Sequence, residues 1–169
     1  MLRSEKDTEG ARKAFLQSTS LDNKFLPPYL SLASIAFDEK DWKEVLGLTR
    51  YVLSFDQLNY ARISGYVLDL DTVDYSEAYF YDAAANFQLN RIDEAEKSGL
   101  QAARLDLRPR FPQVHLLLAD IFTRKNDSNR AIDELHVFLT SVPRGRNADL
   151  ARERLASLEA HAEASPAHQ

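Results

Sequence analysis

Four histidines, one acidic run and two groups of arginines are the side chains in this sequence with an obvious capacity for chemistry. A metal site or an activated nucleophile needs its partners at short, fixed spacing. His115 falls at a packing position, His136 sits on a helix, and His161 and His168 lie near the carboxyl end, none with such a partner. The chain has no cysteine, which excludes a thiolate ligand, a cysteine nucleophile and a disulfide framework. The run LDLDTVDYSEA alternates Asp69, Asp71, Asp74 and Glu77 as a calcium loop alternates its oxygen donors. It lacks the loop glycine and the spaced bidentate glutamate, so it reads as a charged lip that keeps an inserted segment soluble. The five glycines, Gly10, Gly47, Gly65, Gly99 and Gly145, form no phosphate-cradling motif. These residues predict no enzyme, no catalytic residue, no metal site and no cofactor.

Charge narrows the partners. At a net charge of −5 the chain lacks the clustered cations that displace counterions from a phosphate backbone, which argues against nucleic acid. Arg104, Arg108 and Arg110 form one basic group and Arg144 and Arg146 another; both follow expected helices, where cations favour the negative end of the macrodipole. No apolar run reaches the roughly 18 residues of a membrane span, so no membrane insertion is expected. The opening MLRSEKDTEGARK is charged where a secretory signal is apolar. The default compartment is therefore the cytoplasm, with the periplasm as the alternative where a longer parent chain supplies a signal.

Apolar residues recur at three and four almost throughout, predicting helices at about 4–20, 27–38, 42–54, 76–89, 92–105, 112–124, 128–141 and 147–162. A small residue returns at one point of each first helix, Ala33, Ala83 and Ala119, and at one point of each second helix, Ala11, Val45, Ala95 and Ala131. Ala11 and Val45 are 34 residues apart, Ala95 and Ala131 are 36 apart, the period of a stacked two-helix unit. Short polar breaks, Glu39-Lys40-Asp41, Asn90-Arg91 and Lys125-Asn126-Asp127, force antiparallel neighbours within each pair. Pro27-Pro28, Pro109, Pro112 and Pro143 punctuate the joints between pairs.

Residues 111–143 resemble a tetratricopeptide repeat (TPR), with Leu118-Ala119, Phe122, a polar turn, Ala131, Leu135, Phe138-Leu139 and a closing Pro143. Residues 28–56 are similar through Tyr29, Leu32-Ala33, Trp42, Val45 and Val52-Leu53, and residues 77–107 through Tyr79, Ala83, Ile92, Ala95 and Ala102. The resemblance, to bacterial-type members of that family, implies an all-α, right-handed superhelix of about three helix pairs. It divides the single domain into a half repeat at 4–25, repeats at 26–56, 75–108 and 111–143, an insertion at 57–74, a capping helix at 146–162 and a disordered tail at 163–169. The chain starts in mid-repeat, which suggests a piece of a longer protein. Its cap carries the stripe Ala148, Ala151, Leu155, Leu158 and Ala162. The first helix should pack through Ala11, Phe15 and Leu21.

Two features depart from the repeat pattern. Val45 and Ala95 are 50 residues apart, leaving an apolar insertion near Gln57 to Thr72. Asp82 and Asn86 stand where the family has apolar residues; either the helix is rotated so that Phe80, Ala84 and Phe87 are buried, or the polar pair finds partners in the insertion. The resemblance also implies a concave groove lined by first helices. Superposed repeats place Leu30, Ser34 and Phe37, then Phe80, Ala84 and Phe87, then Leu116, Asp120 and Thr123 in one inward column, with Arg124 adjacent. This column is the expected binding site for a protein or peptide partner; the alternative places Phe80 and Phe87 in the core. A chaperone-tail clamp is not expected, because Leu30, Ser34, Tyr81, Gln113 and Leu117 stand where such members carry cationic and amide side chains. The expected function is a non-enzymatic protein interaction scaffold. Alternatives are a structural module that self-associates through its amino-terminal helix and a regulatory appendage of a larger chain.

Overall fold

The computed structural model describes residues 5–55, 73–106 and 110–164 of the 169. Among them are eight helices and no strand: α1 Glu5–Leu21, α2 Pro27–Asp38, α3 Trp42–Leu53, α4 Tyr75–Gln88, α5 Ile92–Leu105, α6 Gln113–Arg124, α7 Ser128–Ser141 and α8 Arg146–Ala164. Each starts and stops within two residues of the position that its apolar period predicts. The expected insertion lies almost wholly outside the described residues, as do residues 165–169 of the expected tail. Residues 163 and 164 of that tail close α8.

Every helix packs on its successor, and α2 also touches α4, as α4 touches α6. That pattern is a stack of antiparallel pairs, α2/α3, α4/α5 and α6/α7, with α1 against α2 and α8 closing on α7. The recurring small residues make the close approach possible. Ala33, Val45, Ala83, Ala95 and Ala131 have no exposed surface and Ala119 has 2%. Large neighbours fill the remaining space, with Leu118, Ile121, Phe122, Leu135 and Phe138 all at or below 1% exposure. At Gly99 the contact is tighter still: a Cβ there would lie 2.8 Å from the buried Leu118 Cδ2, so a side chain at 99 would force Leu118 to shift.

The turn inside each pair is one device used three times. Lys40, Asn90 and Asn126 have φ of 61°, 57° and 59°, and the next residue's N–H reaches back to close the helix: Asp41 to the Ala36 carbonyl, Arg91 to Asn86, Asp127 to Phe122. Asp41 and Asp127 then cap the following helix, accepting from the N–H groups of Glu44 and Arg130. Asp74 caps α4 in the same way, through Ser76 and Glu77.

Of the two courses expected for Asp82 and Asn86, partners in the insertion would lie outside the described residues. Both residues are buried, at 6% and 1% exposure; Asp82 finds partners on the second helices and Asn86 bonds to Asp82. Thr49 of α3 donates to Asp82 Oδ1 at 3.2 Å, and Ser98 of α5 donates to Oδ2 at 2.6 Å. Asn86 Nδ2 donates to the same Oδ2 at 2.8 Å. One carboxylate thus ties α4 to the second helix on either side, which is how a polar side chain is tolerated at a core position. The amino-terminal helix differs from expectation at one residue. Ala11 and Phe15 are half-buried as predicted, but Leu21 is 81% exposed. On α8, Ala148 and Ala151 are buried and Leu155 and Leu158 half-buried, the stripe expected of the cap.

Two stability outcomes follow from these contacts. Lys40 is the one β-carbon-bearing residue of the three left-handed turns that is not asparagine, so Lys40→Asn should raise stability by about 0.5 kcal/mol, read as a higher urea midpoint. Asp82→Ala strands the buried Ser98 hydroxyl and should cost about 1–3 kcal/mol. Combined with Ser98→Ala the loss should be smaller than the sum of the single losses, and strict additivity would show that the bond contributes nothing.

Candidate functional site

The first helices carry a continuous aromatic seam across the joint between pairs. Phe37, in the last turn of α2, meets Trp42 edge-on at 5.5 Å between ring centroids, Tyr81 at 5.2 Å and Phe80 at 6.1 Å. Phe80 in turn lies 5.6 Å from Tyr81 and stacks on Phe111 at 6.4 Å with 19° between planes. Each of these rings is half-buried, keeping one part in the core and one in solvent. Phe111 is held by its backbone N–H, which donates to Asp106 Oδ2 at 2.8 Å just beyond α5. Arg110 lies over its ring at 5.8 Å and pairs with Asp74, the cap of α4. The expected role of Arg110 as a helix-end charge gives way to this contact, which joins the third pair to the second.

The predicted column divides along its length. Leu30 and Ala84 are each 7% exposed and belong to the core, Leu30 with Val52 and Ala78, so neither offers a partner much surface. Ser34, Phe37, Phe80 and Phe87 are half-buried. Phe80 and Phe87 both pack against the cluster built from Ala95, Leu118 and Phe122. They are therefore packed on the core while keeping some exposed surface. Leu116 is half-buried against the cluster of Ala119, Leu135 and Phe138. Asp120 pairs with Arg154 of the cap at 2.9 Å, and burial pushes its carboxyl above the usual range while Arg154 and Arg124 pull it back. Both line a 190 Å³ pocket between α6, α7 and α8, floored by Ala119, Leu135 and Leu158. Arg124 is exposed, lying 5.4 Å over the Phe87 ring and donating to Asn90 Oδ1 at 3.2 Å.

No protein-family model matches the chain, and none of the curated proteins matches it in sequence. Among solved structures, the crystal structure of MamA, a TPR-like helical protein, superposes with a TM-score of 0.62. The match covers 82% of this chain and 71% of that one at 17% sequence identity, a likeness of fold. The fold is a TPR-like α-solenoid.

Trp42, Tyr81 and Phe111 are the members of the seam that the repeat column omitted. Tyr81 stands one residue beyond Phe80 and faces α2; Phe111 precedes the first turn of α6, outside any helical register. The seam could have been anticipated only from the density of aromatics at 79–81 and 111. His115 also acquires a partner that its spacing hides, Glu134 Oε2 at 2.6 Å across the third pair. Among the described residues no group of three or more His, Asp or Glu side chains could hold a metal ion. No described helix is long and apolar enough to cross a membrane.

On the second-helix side of this TPR-like solenoid, Glu96 of α5 receives Lys125 at 2.5 Å and Arg130 at 2.8 Å. The hydrogen bond from Lys125, followed by that from Arg130, holds its carboxyl below the usual range against an opposing desolvation. A carboxylate with a depressed pKa in the folded state stabilises the fold fully above its unfolded pKa and loses that contribution as pH falls toward the folded value. Urea titrations at descending pH should therefore show wild type above Glu96→Gln at neutral pH, with the gap closing only below about pH 4.3. A gap independent of pH would rule out the ion pairs as its source.

Proposed function

We propose that this chain is a non-enzymatic interaction scaffold that holds a segment of a partner protein along the surface of its successive first helices. The observation that carries the reading is the half-exposed aromatic seam from Trp42 through Phe37, Tyr81 and Phe80 to Phe111. Stacked helix pairs present their first helices as one extended surface, and rings that are rigid, apolar and partly solvated are the side chains that dominate such contacts. The polar ends of the surface, Glu77 at one and Arg124 at the other, supply register to an otherwise apolar contact. The likeness to the TPR-like MamA fold is consistent with this use.

Peptide selection on the immobilised chain, followed by titration of a selected peptide, tests the reading. Phe37→Leu with Phe80→Leu keeps apolar bulk while removing the ring platform, and should weaken binding by about tenfold or more. Leu100→Ala and Val137→Ala, at 43% and 44% exposed residues of the second helices, should leave it unchanged. Equal loss from both sets would place the contact elsewhere.

One observation favours a second reading, a module that associates with itself or with the rest of a larger chain. Leu16, Leu21 and Phe25 are 52%, 81% and 46% exposed along α1 and the turn after it. Under that reading the chain sediments as a dimer, and Leu16→Lys with Leu21→Lys returns it to a monomer.

A further inference from the structure

The amino-terminal end of the first-helix surface contains the larger of the two pockets described, 390 Å³, lined by α1, α2 and the start of α4. Its walls are apolar or small on two sides, with Ala11 and Phe15 from α1 and Leu30 and Ser34 from α2. On the third side stand two carboxylates, Asp74 and Glu77. They differ in their commitments. Asp74 caps α4 through the N–H groups of Ser76 and Glu77 and pairs with Arg110. Glu77 interacts electrostatically with the Tyr81 hydroxyl one turn on, and among the described residues it forms no ion pair. An apolar sleeve ending in a carboxylate with no ion pair among the described residues is complementary to a long aliphatic side chain with a positive tip.

We propose that this pocket receives a lysine or arginine side chain of the bound partner segment, the aliphatic stem lying along Phe15 and the cationic head paired with Glu77. The inference rests on the scaffold reading above and adds to it the chemical class of one recognised residue and its place on the surface. The electrostatics agree with the geometry. Burial, followed by the repulsion of Asp74, holds the Glu77 carboxyl above its usual range, while Tyr81 and Arg110 only partly offset this. An arriving cation relieves a desolvated charge that the described residues compensate only in part. Tyr81 joins this pocket to the aromatic seam, since its ring packs on Phe37 and Phe80 while its hydroxyl reaches Glu77. One segment can therefore anchor apolar residues on the seam and its basic residue in the pocket.

The test is selection of random phage-displayed peptides on the full wild-type chain, on Glu77→Gln and on Glu77→Lys, after checking all three by circular dichroism. The expected result is a lysine or arginine at one fixed position of the peptides selected by wild type. A leading peptide should bind Glu77→Gln about tenfold more weakly, and Glu77→Lys should select an acidic residue at that position, a reversal that loss of structure cannot produce. Replacing the basic residue of the peptide by norleucine gives the same tenfold loss on unaltered protein, independent of how the variants fold. Peptides that depend on Phe37 and Phe80 but carry no fixed basic residue, or that bind norleucine as well as lysine, overturn the pocket assignment and leave the scaffold reading standing. Failure of wild type to select any peptide that depends on the seam overturns both.

Discussion

The structure depends on the distance between helix axes at a few small residues. Ala33, Ala83 and Ala119 on the first helices and Val45, Ala95 and Ala131 on the second are each essentially without solvent contact. A small side chain at the crossing lets the neighbouring helix settle into the groove beside it, so that Leu118, Phe122, Leu135 and Phe138 reach full burial one turn away. Gly99 takes the same constraint to its limit, since even a methyl group there would press on Leu118. Once the pairs are closed at this spacing, the next pair can only stack on the ridge they leave, and the single-file order of contacts follows.

A single-file stack is vulnerable at its joints, because each pair touches only its neighbours. The joint between the first and second described pairs crosses the longest break in the repeat period, yet α3 and α4 pack directly against each other. Asp82 lies at that joint, bound by Thr49 on one side and Ser98 on the other. A leucine there would bury as well but would accept many helix rotations. Three convergent donors accept one, and the price in desolvated carboxylate is set against a fixed orientation of α4. That orientation is what brings Phe80 onto Phe37 and Phe111 and points Tyr81 toward Ser34 and Glu77.

The candidate surface thus inherits its precision from the core beneath it. Phe80 and Phe87 are held from below by the α5/α6 cluster, Phe111 by the Asp106 carboxylate, and Arg110 by the cap of α4. At the far end Asp120 is already paired with Arg154, so the cap helix satisfies a charge that the bare repeat column would leave open. The two ends of the surface consequently differ: one carboxylate is closed by the protein itself, the other, Glu77, stands at an open pocket without an ion pair among the described residues.

Periodicity determined much of this from the sequence. The apolar spacing at three and four marks every described helix, the recurrence of alanine marks the crossings, and the asparagine and aspartate of Lys125-Asn126-Asp127 mark a left-handed turn and a cap, because each is a local requirement of the backbone that few residues satisfy. The column of first-helix residues was legible as a set of positions, since superposed repeats put equivalent residues on one face. What it could not contain was the depth of each side chain. Leu30 and Ala84 proved buried, Phe80 and Phe87 were divided between core and surface, and Asp82 found partners 33 and 16 residues away on other helices. Those outcomes depend on contacts between segments with no fixed spacing in the chain, and only the packed arrangement of all the pairs decides them.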